Sequence, residues 1–343
     1  MKSSDVMKYR SIWMGVAILW VMFGHMTYES KFAIVNLVHD AGYGGVDVFL
    51  LASGAGIYYS LKKNADYGEY MGRRFRRILP TYYIFLIVWV IIKKLTCGLS
   101  NMAIVGNIFC IQFFTGKEGC FNWYMSIIFL CYLIAPLLYR AFRKNVTLSA
   151  SSFFTFIALL IISICFFNTG DLIMGISRIP VFFLGMMIGK ACDEREDISV
   201  KKILFVTILM IAGFVFLYYV QGMEFWDAWN HGLLWYPFLL IAPGVAYLTS
   251  FIAFKLEARA RNKMDKSVEF PGFVSNINFF FVKIGEYSFE IYLWHVMLVE
   301  LYRDYLIPVC GVPDRLAFWA IDYALTFVLA YTLKKLVQAM KRL

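Results

Sequence analysis

The stretch VAILWVMFGHM, residues 16–26, is nearly unbroken hydrocarbon until it reaches His25. A titratable imidazole gains nothing from lipid, so His25 either sits at the water line or has a chemical task. The rest of the chain repeats the pattern. Of 343 residues, 61% are hydrophobic and only 16% charged, where a soluble domain carries about a quarter charged. Mean hydropathy is +0.66. A bilayer core of about 30 Å needs roughly 20 apolar residues per helix, and the chain offers many such runs.

Apolar runs between charge clusters predict ten spans, at 11–28, 43–61, 78–92, 121–138, 149–167, 172–190, 202–220, 232–254, 284–302 and 316–337. The piece MAIVGNIFCIQFF at 102–114 is too short for an eleventh and reads as re-entrant or interfacial. With the N-terminus inside, 26 of the 33 lysines and arginines fall on cytoplasmic segments and 6 on outer ones, with Arg178 inside a span. That bias predicts both termini in the cytoplasm. The expected fold is an all-α, polytopic transmembrane helical bundle of about ten spans, organised as one domain over 1–343. The net charge of +10 follows from topology and membrane lipid, and nucleic acid is not an expected partner.

The first span reads as retained, because GHMTYES carries no small-residue cleavage signature. Seven cysteines show no metal spacing, and no metal site is expected. Cys97, Cys110 and Cys120 share an outer loop, where a disulfide is one option. No repeat and no soluble domain is evident, and 255–278 reads as a basic cytoplasmic loop.

Ionisable residues inside spans mark functional positions by default. His25 lies three residues from the outer end of its span, Asp47 four, Arg178 six and His295 seven. At about 1.5 Å per residue, all four fall in the outer half of the membrane. Taken singly, His25 and Asp47 also read as wetted interface residues, and Arg178 as a structural partner of Asp47. The agreement of four depths from distant segments points instead to a polar cavity opening outward.

On the opposite face, GRRFRRILP places four arginines just before the third span, with Pro80 near its first turn. Arg74 and Arg77, three apart, share a helix face, and guanidinium forks near a helix N-terminus suit phosphate oxygens. The plainer reading is an anchor for anionic lipid headgroups. A phosphate-sized basic cleft inside and a histidine-bearing cavity outside suggest a reaction run across the bilayer. Histidine suits general-base work on an acceptor there.

These residues carry a family likeness. Across most of its length the chain resembles acyltransferase family 3, the integral membrane O-acyltransferases. His25 stands at the histidine of that family's opening helix. GGVDVFLLASGAGIYYSLKK is similar to its second-helix pattern through Gly45, Asp47, Phe49, Ser53 and Gly54. RFRRILP matches its Arg-x-x-Arg segment at Arg74 and Arg77, closed by Pro80. WYMSIIFLCYLIAP keeps Trp123, Ser126, Tyr132 and Pro136 at the family's intervals. RIPVFFLGMMIG matches at Arg178, Pro180, Gly185 and Gly189, and IGEYSFEIYLWHVML at Gly285, Tyr287, Ser288, Tyr292 and His295. Two positions depart: Met14 stands where many members carry an arginine, and Ile128 where a glutamate is frequent. Roles tied to those groups are not carried over.

The resemblance implies transfer of an acyl group, commonly acetyl, from coenzyme A to a hydroxyl of an exported or surface glycan or similar acceptor. In that scheme Arg74 and Arg77 hold phosphates of acetyl-CoA or another acyl-CoA, and His25 is the general base. Asp47 and Arg178 orient His25 or the acceptor. Ser53 or Tyr292 polarises the carbonyl, and His295 helps line the positioning site. The expected location is the plasma membrane of a bacterium. Two rivals stay open: a flippase or exporter for a lipid-linked glycan, and an inactive assembly subunit.

Overall fold

The structure, a computed structural model, describes residues 1–115, 123–142, 150–194, 197–264, 271–311 and 316–342. Helix accounts for 83% of it, and no strand forms among the described residues, so the all-α expectation holds. In chain order the helices are α1 (Ser3–Lys8), α2 (Arg10–His25), α3 (Ala33–Asp40), α4 (Gly45–Lys63), α5 (Tyr67–Thr96) and α6 (Asn101–Ile108). There follow α7 (Gln112–Thr115), α8 (Trp123–Phe142), α9 (Ala150–Cys165), α10 (Leu172–Ile176), α11 (Ile179–Asp193) and α12 (Val200–Gln221). The last five are α13 (Phe225–Asn230), α14 (Phe238–Met264), α15 (Pro271–Glu286), α16 (Ser288–Leu301) and α17 (Leu316–Met340).

Each expected span carries helix. Five stretches among the described residues are long and apolar enough to cross a bilayer: Tyr67–Thr96, Trp123–Ala141, Leu172–Asp193, Val200–Gln221 and Phe238–Arg259. Others are shorter. Helices α2 and α9 have 16 residues each and α16 has 14. At 1.5 Å per residue these reach about 21–24 Å, short of a ~30 Å core. The burial pattern is inverted relative to a water-soluble protein. Along α12, Leu204, Phe205, Ile208 and Ile211 are exposed, whereas Asp47, Arg178, His295 and Asp322 are buried. Lipid, not water, suits that surface.

Sequence chemistry sets several helix ends. Ser199 caps α12 by accepting from the Lys202 amide at 3.2 Å, and Ser100 caps α6 from the Ala103 amide at 3.2 Å. Helix α5 ends where Gly98 takes a φ of +76°, a conformation glycine adopts without steric cost.

The structure corrects or refines four expectations. The basic loop over 255–278 is largely helical: α14 runs on to Met264 and α15 begins at Pro271. Its charged residues end the apolar run but not the helix, because KLEARARNKM is rich in strong helix formers. The span expected at 284–302 is interrupted at Tyr287, between α15 and α16, just after the weak helix former Gly285. The span at 172–190 stands as Leu172–Asp193, but its helix is interrupted at Ser177–Arg178, because Pro180 cannot donate to residue 176 and its ring crowds that carbonyl. Cys97 and Cys110 are free thiols, so no disulfide joins them. Cys120, Lys117, Arg143, Lys144, Arg195, Lys266 and Arg315 lie outside the described residues. The 102–114 piece forms the two short helices α6 and α7, in keeping with its reading as too short to span.

The chain forms two compact units. The first comprises Met1–Val21, Tyr43–Asp66 and Cys131–Glu286. Its centre is the contact of α4 with α11. A Cβ on Gly54 would meet the Phe182 carbonyl, and one on Gly185 the Leu51 carbonyl. Small residues there let the two backbones touch, the packing that apolar helices use within a membrane. Lys62 pairs with Asp193 at the end of this helix pair, and Lys8 pairs with Glu257 at 2.8 Å.

The second unit comprises Met22–Gly42, Tyr67–Leu130 and Tyr287–Leu343. Here α5 packs against α16, with Phe85 edge-on to Trp294 at 5.1 Å between ring centres. The Tyr82 hydroxyl donates to the Asn107 carbonyl of α6 at 2.8 Å. Lys93 reaches Glu300 at 3.3 Å and Asp304 at 3.1 Å. A π turn at Tyr302–Leu306 follows α16 and buries Tyr302 against Phe318 and Trp319 of α17.

Candidate active site

In the second unit, α2 ends at His25, and two contacts fix that end. Arg303 Nη2 donates to the His25 carbonyl at 2.8 Å, and His39 Nε2 donates to the Met26 carbonyl at 2.9 Å. A guanidinium at a helix C-terminus satisfies an orphan carbonyl and complements the helix dipole. Gly24 has no side chain because a Cβ there would lie 2.7 Å from the Gly42 Cα. The π turn matters to the site because it carries Arg303.

The half-buried ring of His25 meets a second histidine. Its Nδ1 lies 3.1 Å from His295 Nε2, and His295 Nδ1 lies 2.8 Å from Asp322 Oδ2. The side chains of His295 and Asp322 are fully buried. A carboxylate only accepts hydrogen bonds, so it draws the His295 proton to Nδ1. A neutral His295 then presents the Nε2 lone pair, which accepts from Nδ1–H of His25. In that tautomer His25 Nε2 carries no proton. The geometry is a line of three side chains, and among the described residues no His/Cys/Asp/Glu cluster suits a metal.

Helix α16 supplies more than His295. Tyr292 lies three residues earlier on the same face and packs edge-on against Tyr124 at 5.5 Å. Tyr323 of α17 lies edge-on to His295 at 6.1 Å.

The first unit holds a separate polar pair. Arg178, at the N-cap of α11, places Nη1 3.4 Å from Asp47 Oδ2 in the first turn of α4. The guanidinium also lies 5.9 Å from the ring centres of Tyr43 and Trp235. The Asp47 side chain is fully buried, as is almost all of Arg178. Two desolvated charges held this way depend on each other. Ser53 is half-buried further along α4.

Arg74 and Arg77 lie in the second unit on α5. Arg77 is exposed, and Arg74 is half-buried with its guanidinium 5.8 Å from the Tyr70 ring centre. The sequence expectation placed them at a helix start near Pro80. Helix α5 instead begins at Tyr67 and continues through Pro80, so its N-terminus contributes nothing to anion attraction at these arginines. A proline is tolerated inside a membrane helix where neighbours compensate for the lost hydrogen bond. Of the adjacent arginines, Arg73 faces Glu69 at 3.6 Å.

The eight sequence-predicted residues thus divide. His25, Arg74, Arg77, Tyr292 and His295 belong to one unit, and Asp47, Ser53 and Arg178 to the other. The structure pairs His25 with His295 and Asp47 with Arg178. Sequence reasoning missed Asp322, although the signal was present. It stands six residues inside the span predicted from 316, at the depth that singled out the other four. Arg303 stands one residue beyond a predicted span, among the charges of the outer segments. Near the departing positions, Arg10, one turn before Met14, donates from Nε to the Ala52 carbonyl at 3.1 Å within the first unit, and Ile128 is buried.

Apolar helices with buried titratable side chains define a multi-pass membrane protein. A family profile described as an acyltransferase domain matches residues 14–335, nearly the whole chain, and the protein belongs to that acyltransferase family. No curated protein and no solved structure matches the chain.

Proposed function

We propose that the protein is an O-acyltransferase that moves an acyl group, acetyl first among them, from cytoplasmic acyl-CoA to a hydroxyl of an extracytoplasmic glycan or similar acceptor. Family membership supports the class of reaction. The single observation that carries the chemistry is the ring of His25, held at Nδ1 by His295 and half-open to its surroundings.

His25 Nε2 takes the proton of the acceptor hydroxyl as that oxygen attacks the thioester carbonyl. The carbonyl oxygen gains negative charge, and Tyr292, one turn from His295 on α16, donates to it. Collapse breaks the carbon–sulfur bond. The proton held by His25 passes to the departing thiolate, leaving an ester and free coenzyme A. Arg74 and Arg77 bind the phosphates of coenzyme A, because two guanidinium groups on one helix face match phosphate oxygens. Asp47 and Arg178 fix α4 against α11 and so hold the acceptor side of the protein in shape. The reading carries a ten-span arrangement with both termini cytoplasmic, in the plasma membrane of a bacterium.

The test supplies membrane vesicles with acetyl-labelled acetyl-CoA on the cytoplasmic face and measures alkali-labile label in the glycan fraction. Wild-type vesicles are expected to transfer label and His25→Ala vesicles to transfer none above background. Equal label from both rules out His25 as the base. Label from neither rules out acetyl-CoA as the donor.

A further inference from the structure

We propose that His295 and Asp322 are positioning residues that let His25 alternate between a bare Nε2 and a protonated Nε2 while the positive charge rests beside the Asp322 carboxylate. The proposal rests on the acyl-transfer reading of His25.

The geometry supplies a continuous path of two hydrogen bonds, at 3.1 Å and 2.8 Å, through side chains of which the inner two are fully buried. Among the described residues, Asp322 Oδ2 bonds His295 Nδ1 and Oδ1 has no hydrogen-bond partner. A carboxylate in an apolar helix, answered by one imidazole, is costly as a structural device. It is well suited to holding a proton at His295 Nδ1 and receiving a charge beside it. Packing independent of the ring fixes the end of α2, through Arg303 and His39. The His25–His295 distance is therefore set before any substrate binds.

The proton count closes. In the resting state Asp322 is ionised and both histidines are neutral, each with its proton on Nδ1. When His25 Nε2 takes the acceptor proton, the Nδ1 proton of His25 shifts to His295 Nε2. His25 is then neutral with its proton on Nε2, and His295 is an imidazolium against the Asp322 carboxylate. As the thiolate leaves, His25 Nε2–H protonates sulfur, and the His295 Nε2 proton returns to His25 Nδ1. No net proton enters or leaves. The histidine between base and carboxylate places the charge in a buried pair and frees His25 to act first as base and then as acid.

The first measurement is nitrogen-15 NMR of the full-length protein, labelled at histidine, in lipid nanodiscs at neutral pH. Ring-nitrogen shifts separate protonated from bare nitrogens, and only four histidines need assignment. The expected spectrum shows His25 and His295 each protonated at Nδ1 and bare at Nε2. His25 protonated at Nε2 in the wild type overturns the proposal, and this readout needs neither a variant nor activity. The second measurement is transfer from acetyl-CoA by Asp322→Asn. The amide keeps the shape and removes the charge. Replacing the carboxylate partner of a catalytic histidine by its amide costs about 10⁴-fold in kcat in a Ser-His-Asp relay, so kcat is expected to fall by up to about that much, with KM for acetyl-CoA unchanged. An unchanged kcat overturns the proposal, as does a loss that appears only in KM. If wild type transfers no acyl group, the acyl-transfer reading fails while the NMR readout still decides the arrangement of protons.

Discussion

His25 Nδ1 stands 3.1 Å from His295 Nε2, two side chains separated by 269 intervening positions in the chain and joined within one compact unit. This contact sets which nitrogen of His25 faces its partner and which remains for chemistry.

Removing Arg303 should loosen the end of α2 without touching the ring. Its guanidinium bond to the His25 carbonyl belongs to the charged class worth about 1.5–3 kcal/mol. Arg303→Ala is expected to lower kcat about tenfold and the thermal midpoint by a few degrees. Arg303→Lys should recover part of the loss. Steady-state acetyl transfer measures both, and full activity in Arg303→Ala would contradict the role.

The Asp47–Arg178 pair should behave as a mutually dependent buried unit. Asp47→Ala or Arg178→Ala alone leaves one charge without its partner and is expected to cost about 3–5 kcal/mol. The double change Asp47→Leu with Arg178→Met should be far closer to wild type than the sum of the singles. Thermal unfolding in detergent of the four proteins closes the cycle.

Arg74 and Arg77 are expected to bind coenzyme A. A ligand at a hundred times its Kd stabilises the native state by about 2.7 kcal/mol. Saturating coenzyme A should therefore raise the thermal midpoint of wild type and leave that of Arg74→Ala/Arg77→Ala unmoved. A stabilisation of equal size in both would assign the phosphates to other residues.

The α4–α11 contact should not tolerate bulk. Gly185→Leu drives a side chain into the Leu51 backbone, which cannot move as a flexible side chain would. Overpacking of this kind costs about 1–3 kcal/mol or more, and loss of folded protein in size-exclusion chromatography measures it. Gly98→Ala offers a contrast: among the described residues nothing lies within 4 Å of an added Cβ, and its positive φ is what resists.

Much of the architecture was legible in the sequence because the bilayer leaves few choices. Every apolar run became helix, and the short 102–114 piece became α6 and α7. Charge misled at 255–278, where lysine and arginine ended the hydropathy signal but favoured helix. Depth in the membrane found His25 and His295, and Asp47 and Arg178, but depth alone does not say which partners meet. That depends on helix rotation and packing, set by contacts such as Gly54 against Phe182 and Gly24 against Gly42. Asp322 shows the cost of weighing histidines and arginines ahead of a lone aspartate in an apolar run.

The most direct test measures alkali-labile acetate on the surface glycans of cells carrying the wild-type chain, His25→Ala at equal protein level, or no copy. Acetate present with wild type, and absent with His25→Ala and with no copy, is the expected result. Acetate at the wild-type level in the His25→Ala cells would contradict His25 as the base, and acetate equal in all three would contradict acetyl transfer by this protein.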